Sequence, residues 1–414
     1  MTGTSSTYPL HAVRAVALHT QALAAEPPSP TSAAVRAIVE QLGCLQIDTL
    51  HVVRRAHYLT LWSRLGNYDT AVLDRLAYHP DERALFEYWY HAASIVPFSS
   101  YRYCIPQMRW FKEGNSHWYQ EWIEAPESAE IIEAVLERIR QEGALRNVDF
   151  EHDGKRRGSW WNWKPAKHAL EHLYNCGDLM IADRVNFQRV YDLKERVLPD
   201  WVDVTELTRD EAYRARIEHA VKALGICQPL QAAEYTWMKR GTARPYVEAL
   251  AREGVLVSVR AALADGPVDD LVVHRDNLSL LAQAADGALR AGRTTFLNPF
   301  DSLFWARDRD RQFWGFRQVL EAYKPEAQRE WGYFCLAILH RDRLVGRFDP
   351  RLDRKTGTLT LKKLYLEPGI APGESLVGDV AGAMRDFMAF HETTGLAIEH
   401  SDPDVFGKKL AAAL

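Results

Sequence analysis

Apolar residues recur at helical spacing through much of the chain ahead of Val268, and at strand spacing beyond it. His11 to Ala24 carries Val13, Val16, Ala17 and Leu18, which predicts a first helix. Pro27, Pro28 and Pro30 break it, and Thr31 or Ser32 caps a second helix running to Gln41. Gly43 can take the left-handed conformation that closes that helix. Leu45, Gln46, Ile47 and Asp48 then alternate apolar and polar, so that Gln46 and Asp48 point one way while Leu45 and Ile47 anchor. Val52, Val53, Ala56 and Leu59 predict a third helix capped by Asp48 or Thr49, leaving Arg54, Arg55, His57 and Arg64 for its other faces. Three short helices with tight turns, the third bearing arginines, suggest a helix-turn-helix unit.

The plan recurs further along. Asp69 to Leu76 reads as a short helix, and Leu85 to Pro97 is β-prone and suited to a wing. Its Tyr88, Trp89 and Tyr90 are read as packing rather than base stacking. Tyr101 to Ile123 and Ile131 to Gly143 read as helices, the latter amphipathic through Ile131, Ile132, Val135, Leu136 and Ile139. Lys167 to Leu179 predicts a helix, followed by strands at Met180–Ala182 and Phe187–Leu193. Thr208–Leu224, Gln228–Thr236 and Thr242–Glu253 repeat the helices, with Gly254–Arg260 as a wing strand. From Val268 on, Leu271–His274, Gly332–Leu339, Arg343–Phe348 and Thr358–Leu366 predict a small barrel or sheet. Ser375–His391 reads as a terminal helix, and Ala411–Leu414 as a fraying end.

The fold class expected is α+β: three tandem winged-helix domains followed by a C-terminal β-rich, barrel-like domain. The expected boundaries are 1–125, 126–204 and 205–265 for the winged helices and 266–414 for the last domain.

Composition narrows the class. The chain has 414 residues, 47% hydrophobic and 26% charged, as an ordinary globular protein does. No apolar run is long enough to span a membrane and no signal peptide is visible, so a cytoplasmic, nucleoid-associated protein is expected. The five cysteines form no C-x-x-C pair, which argues against a cysteine-rich zinc site or iron–sulfur cluster; no metal or cofactor is expected. The formal charge of −4 means that any nucleic-acid face must be a local patch.

One such patch is GKRRGSWWNWKPAKH, Gly154 to His168, with Lys155, Arg156, Arg157, Lys164 and Lys167 and no acid. Its flanking glycines suggest a hairpin or mobile loop that could enter a DNA groove, with Trp160 near an unstacked base; the alternative is a solvated loop beside packed tryptophans, and packing is the preferred reading of the tryptophans. The other interest is Gln46 and Asp48, an amide and a carboxylate beside an arginine-rich segment. By spacing alone a cap and a solvated amide explain them more readily than catalysis.

Resemblance alters that balance. The Gln46-Ile47-Asp48 motif and HYLTLWSRLG after it are similar to the YcaQ-type winged-helix DNA glycosylases, whose AlkZ-type relatives carry Gln in place of the Asp. LFEYWYHAASIVP, WWNWKPAKHALEHLYNCGDLMIADRVNFQRVYDLKERVLP, LNPFDSLFWARDR and LVGRFDPRLDRKTGTL also resemble that family. YKPEAQREWGYFCLAIL departs from its basic pair, and Gln328 and Glu330 put a phosphate role there in doubt. The resemblance implies a monofunctional glycosylase of base excision repair, acting as a monomer on double-stranded DNA with N7-alkylated purines, bulky adducts and interstrand crosslinks included. It implies catalysis by Gln46 and Asp48. DNA contacts are expected from Arg54, Arg55, His57, Arg64 and the basic hairpin, while Asp301 is expected to hold its turn. The competing class is a non-catalytic winged-helix regulator, or a damage-binding or drug-resistance protein.

Overall fold

The computed structural model describes residues 7–115, 120–150, 164–264 and 266–414. They fall into two units, one made of the chain up to Thr70 with Arg216–Leu414, the other of Ala71–Ala215.

In the first unit, helix Leu10–Thr20 is buried along most of its length. Its Val13, Val16 and Leu18 share a core with Ile226, Val259, Leu271, Val273, Leu297, Phe313 and Leu339. The segment before it joins a sheet as well, through Tyr8, whose N–H donates to the Arg260 carbonyl at 2.9 Å. Helix Ser32–Leu42 starts where expected, with the Thr31 hydroxyl accepting from the Ala34 N–H at 3.2 Å. The part of helix Arg209–Leu224 from Arg216 on, strand Ile226–Cys227 and helices Gln231–Tyr235 and Arg240–Arg252 lead to the hairpin of Leu256–Ala262 and Val268–His274. These two strands pair antiparallel from Leu256↔His274 to Ala262↔Val268. The composition shift at Val268 therefore falls inside a hairpin.

The expected barrel is instead an open six-stranded sheet. Strands Thr294–Leu297, Leu336–His340, Arg343–Asp353 and Thr358–Leu366 form an antiparallel series. Gly395–Ile398 and Ser401–Asp402 then add parallel to Thr358–Leu366. No pairing closes it among the described residues. Helix Glu374–Phe390 supplies the missing cover: Phe387 meets Phe296 at 5.6 Å and Phe348 at 5.9 Å between ring centroids, so one face is buried without a strand closing on itself. The same cluster fixes helix Ala56–Leu65, because Trp62 lies 5.0 Å from Phe387 and 5.9 Å from Phe296. Burying each such ring contributes roughly 1.5–3 kcal/mol. The end of the chain does not fray: Asp404–Ala413 is a helix held by the buried Phe406 and Leu410.

In the second unit, helix Ala71–Tyr78 precedes the hairpin Leu85–Trp89 and Ala93–Pro97, paired from Leu85↔Pro97 to Trp89↔Ala93. Helices Ile105–Lys112, Pro126–Glu142 and Lys164–Cys176 follow, then a three-stranded sheet in the order Leu145–Arg146, Gln188–Leu193, Leu179–Val185. Tyr88 and Trp89 pack as expected, donating to the Asn175 carbonyl at 2.6 Å and to Asn175 Oδ1 at 2.7 Å. Glu87 is buried and paired with Arg184 at 2.7 Å. Burial alone would raise the pKa of this carboxyl, but Arg184, Arg189 and the Tyr78 hydroxyl hold it below the usual carboxylate range.

Candidate active site

Gly43 ends helix Ser32–Leu42 with φ at +84°. A Cβ there would meet His219 Cε1 at 2.7 Å, so both conformation and space call for glycine. The chain leaves it as the short strand Leu45–Gln46. Leu45 and Ile47 are buried while Gln46 and Asp48 are half-buried, the alternation expected of an extended segment. Asp48 Oδ1 accepts from the Leu50 N–H at 2.8 Å, and among the described residues its carboxylate has no cationic partner.

Beyond Asp48 the chain departs from the expected helix. That helix begins at Ala56, not at Thr49, so Asp48 closes a turn instead of capping a helix. Side chains take the groups that helical bonding would use. Arg55 donates to the Thr49 carbonyl at 3.0 Å, and Arg354 to the Val53 carbonyl at 2.7 Å. Val52 and Val53, stiff at χ1, favour the extended alternative. The loop 48–55 is thus a fixed connector held at both ends by arginines.

Beside the loop lies a cavity of about 390 Å³, with His51, Arg54, Arg55, Tyr58, Arg354 and His391 among its lining. Arg54 stacks over Phe390 at 4.5 Å. Arg354 also donates to His51 Nε2 at 3.1 Å, which requires an unprotonated Nε2. Burial, then the charges of Arg354, Arg55 and Arg54, lower the pKa of His51. His391 is 6% exposed and hydrogen-bonds the Phe387 carbonyl through Nδ1 at 2.7 Å, leaving Nε2 without a partner. Burial brings its pKa down to about 4, with Arg54 and Arg354 adding to the effect against the Phe387 carbonyl.

Arg54 and Arg55 therefore face this cavity. Arg64 does not reach it. It is fully buried and paired in two hydrogen bonds with Asp301, at 2.7 and 2.9 Å. His57 is also withdrawn from the surface, 4% exposed with its ring 4.2 Å from that of Tyr58. Helix Ala56–Leu65 is buried at every position except Tyr58, so it leaves neither residue a solvent face. In the second unit Lys167 is exposed, 3.9 Å from Glu171. Lys155, Arg156, Arg157 and Trp160 lie outside the described residues, as does the side chain of Lys164. Sequence reasoning missed Arg354, although its Asp-Arg-Lys turn between two strand-like runs marks it as an exposed cation.

The fold is a mixed α and β one in which Gln46 and Asp48 lead into a loop that lines a cationic cavity. The chain belongs to the DNA glycosylase AlkZ-like family, whose model matches residues 39–390. Its fold is similar to that of Streptomyces sahachiroi DNA glycosylase AlkZ, with a TM-score of 0.64 at 16% identity, over 95% of this chain and 100% of that one. Among the described residues, no group of three or more His, Cys, Asp or Glu could hold a metal ion, and no helix is long and apolar enough to cross a membrane.

Proposed function

We propose that the protein is a monofunctional DNA glycosylase that hydrolyses the N-glycosidic bond of N7-alkylated purines in duplex DNA, bulky adducts and interstrand crosslinks included. The observation that carries this reading is the half-buried alternation of Gln46 and Asp48 on a fixed loop, in a chain of a DNA glycosylase family. We read the helix-and-hairpin segments as three winged-helix modules that grip the duplex, and the protein as a monomer of the cytoplasm.

Alkylation at N7 makes the purine cationic, so the base leaves without a general acid. The protein must stabilise the positive charge growing on the deoxyribose and deliver water. Asp48 does both, as electrostatic partner of the sugar and as base toward the attacking water. General-base assistance is typically worth roughly 10²–10⁴-fold. Gln46 orients the same water through its amide. No lysine accompanies the pair to form a Schiff base, which favours hydrolysis over strand cleavage.

The test is a gel assay on a duplex with one N7-methylguanine, and on one with a nitrogen-mustard crosslink, each followed by alkali. Wild type is expected to give alkali-dependent cleavage. Asp48→Asn should lose it while binding the duplex as before, and Gln46→Ala should be slowed. Binding without base release from either substrate would leave a non-catalytic DNA-binding protein in place of the enzyme.

A further inference from the structure

We infer that the cavity lined by His51, Arg54, Arg55 and Arg354 is a phosphate subsite, which takes a DNA backbone phosphodiester next to the nucleotide whose base is removed. The assignment deepens the glycosylase reading and rests on it for the position of that phosphate.

Three arginines converge on one cavity in a chain whose acids outnumber its bases, 55 to 51. Glu392 is the carboxylate among the lining residues; its side chain is 87% exposed and stands 3.9 Å from Arg54. Arg354 is exposed and has no carboxylate partner among the described residues. Its hydrogen bonds to Val53 and His51 both leave from Nη2, so Nε and Nη1 remain to donate. Each can give one charge-assisted hydrogen bond to a phosphate oxygen. Helix Ala56–Leu65 starts at the same place. Its N-cap, Arg55, makes no side-chain cap and its first turn carries no acid, so the positive end of the helix adds to the arginines. Burial lowers the pKa of His51 first, and the charges of Arg354, Arg55 and Arg54 lower it further.

The location selects the kind of phosphate. His51 follows Asp48 by three positions on the loop that Arg354 holds. A phosphodiester seated there would bind the arginine that already holds the Val53 carbonyl, so that DNA binding and the placement of Asp48 are coupled through this loop. A protein of net negative charge obtains register on DNA from a few such contacts rather than from general attraction.

The test uses the full chain and a duplex with a single tetrahydrofuran abasic analogue, in which one phosphate at a time is replaced by a neutral methylphosphonate. Wild type is expected to lose roughly 10- to 100-fold in affinity at one or two positions flanking the analogue. Arg354→Gln should lose a similar amount on unmodified duplex, become insensitive to methylphosphonate at those positions, and show a salt slope smaller by about one. Arg354→Lys should recover part of the affinity. Losses that add fully between Arg354→Gln and the methylphosphonate, with an unchanged salt slope, would overturn the assignment. So would a flat methylphosphonate series in wild type, a result that needs no variant to fold. If inorganic phosphate binds wild type without DNA and not Arg354→Gln, while the series stays flat, the site serves free phosphate and the assignment also fails. A flat series alongside intact base release would sink this inference alone, whereas absent base release would sink the glycosylase reading.

Discussion

Arg64 and Asp301 face each other fully buried, joined by two parallel hydrogen bonds of 2.7 and 2.9 Å. They lie 237 positions apart and fasten the helix that comes after the loop of Gln46 and Asp48 to the turn that leads out of strand Thr294–Leu297. Further partners complete the arrangement: Arg64 donates to the Gln21 and Thr60 carbonyls, each at 2.9 Å, and Asp301 accepts from the Leu303 N–H at 3.0 Å. The first helices and the C-terminal sheet are thereby locked around one ion pair. The loop that follows Gln46 and Asp48 has a distant partner of its own, since Arg354 donates to the Val53 carbonyl at 2.7 Å.

Breaking that pair from one side should cost about 3–5 kcal/mol, because the remaining charge stays buried without compensation. Arg64→Met and Asp301→Asn are each expected to lower the urea midpoint strongly. For whatever fraction folds, the salt dependence of DNA binding should match wild type. An Arg64→Met protein of unchanged stability but reduced salt slope would return Arg64 to the DNA-contacting set.

The local signals in the chain carried well. Thr31 caps, Gly43 stops, the Leu45–Asp48 alternation holds, and Thr358–Leu366 is a strand with the bounds its pattern predicts. The departures share one cause: partners that no local window contains. The segment after Asp48 has helical spacing, yet Arg354 takes the Val53 carbonyl from 301 positions away, and the helix starts late. Arg64 reads as a surface cation until Asp301 is beside it. The barrel expectation failed similarly, since alternation shows one buried face but not whether a strand or helix Glu374–Phe390 covers it.

His391 should make the protein acid-sensitive in a window of its own. Its pKa falls from the ordinary 6.5 to about 4 on folding, so the unfolded chain binds the proton first. The stabilisation is complete above pH 6.5 and is lost as pH falls toward 4, by at most about 3 kcal/mol. His391→Gln is expected to flatten this limb of a stability profile measured by urea denaturation at closely spaced pH. An unaltered limb would mean that another group carries it.

Glu321 acts lower on the scale. Its carboxylate is buried and accepts the backbone N–H groups of Glu330, Trp331 and Gly332 at 3.2, 2.8 and 3.3 Å, with Lys324 at 2.9 Å. Burial would raise its pKa, but these donors bring it down to about 2 from 4.5. Its contribution is present above pH 4.5 and disappears as pH falls toward 2. Glu321→Gln should be destabilised by roughly 1–3 kcal/mol at neutral pH and should lose less on acidification than wild type. Equal losses for both proteins between pH 4.5 and 2 would contradict the assignment.

Gly43 offers a way to disturb the segment of Gln46 and Asp48 without altering either side chain. The residue sits at φ +84°, where a side chain is strained, and an added Cβ would overlap His219 at 2.7 Å. His219 cannot easily withdraw, because its Nε2 bonds the Glu40 carbonyl at 3.1 Å within the same helix end. Gly43→Ala is therefore expected to cost more than the roughly 1 kcal/mol of a left-handed alanine alone. Trimming the obstacle tells the two causes apart. In Gly43→Ala/His219→Ala the overlap is gone and only the backbone strain remains, so the double variant should lose less than the two single losses added together. If Gly43 serves to aim Leu45–Asp48, single-turnover base release should fall in Gly43→Ala and recover in the double variant. Additive stabilities and no recovery would show that the glycine acts through its backbone conformation alone.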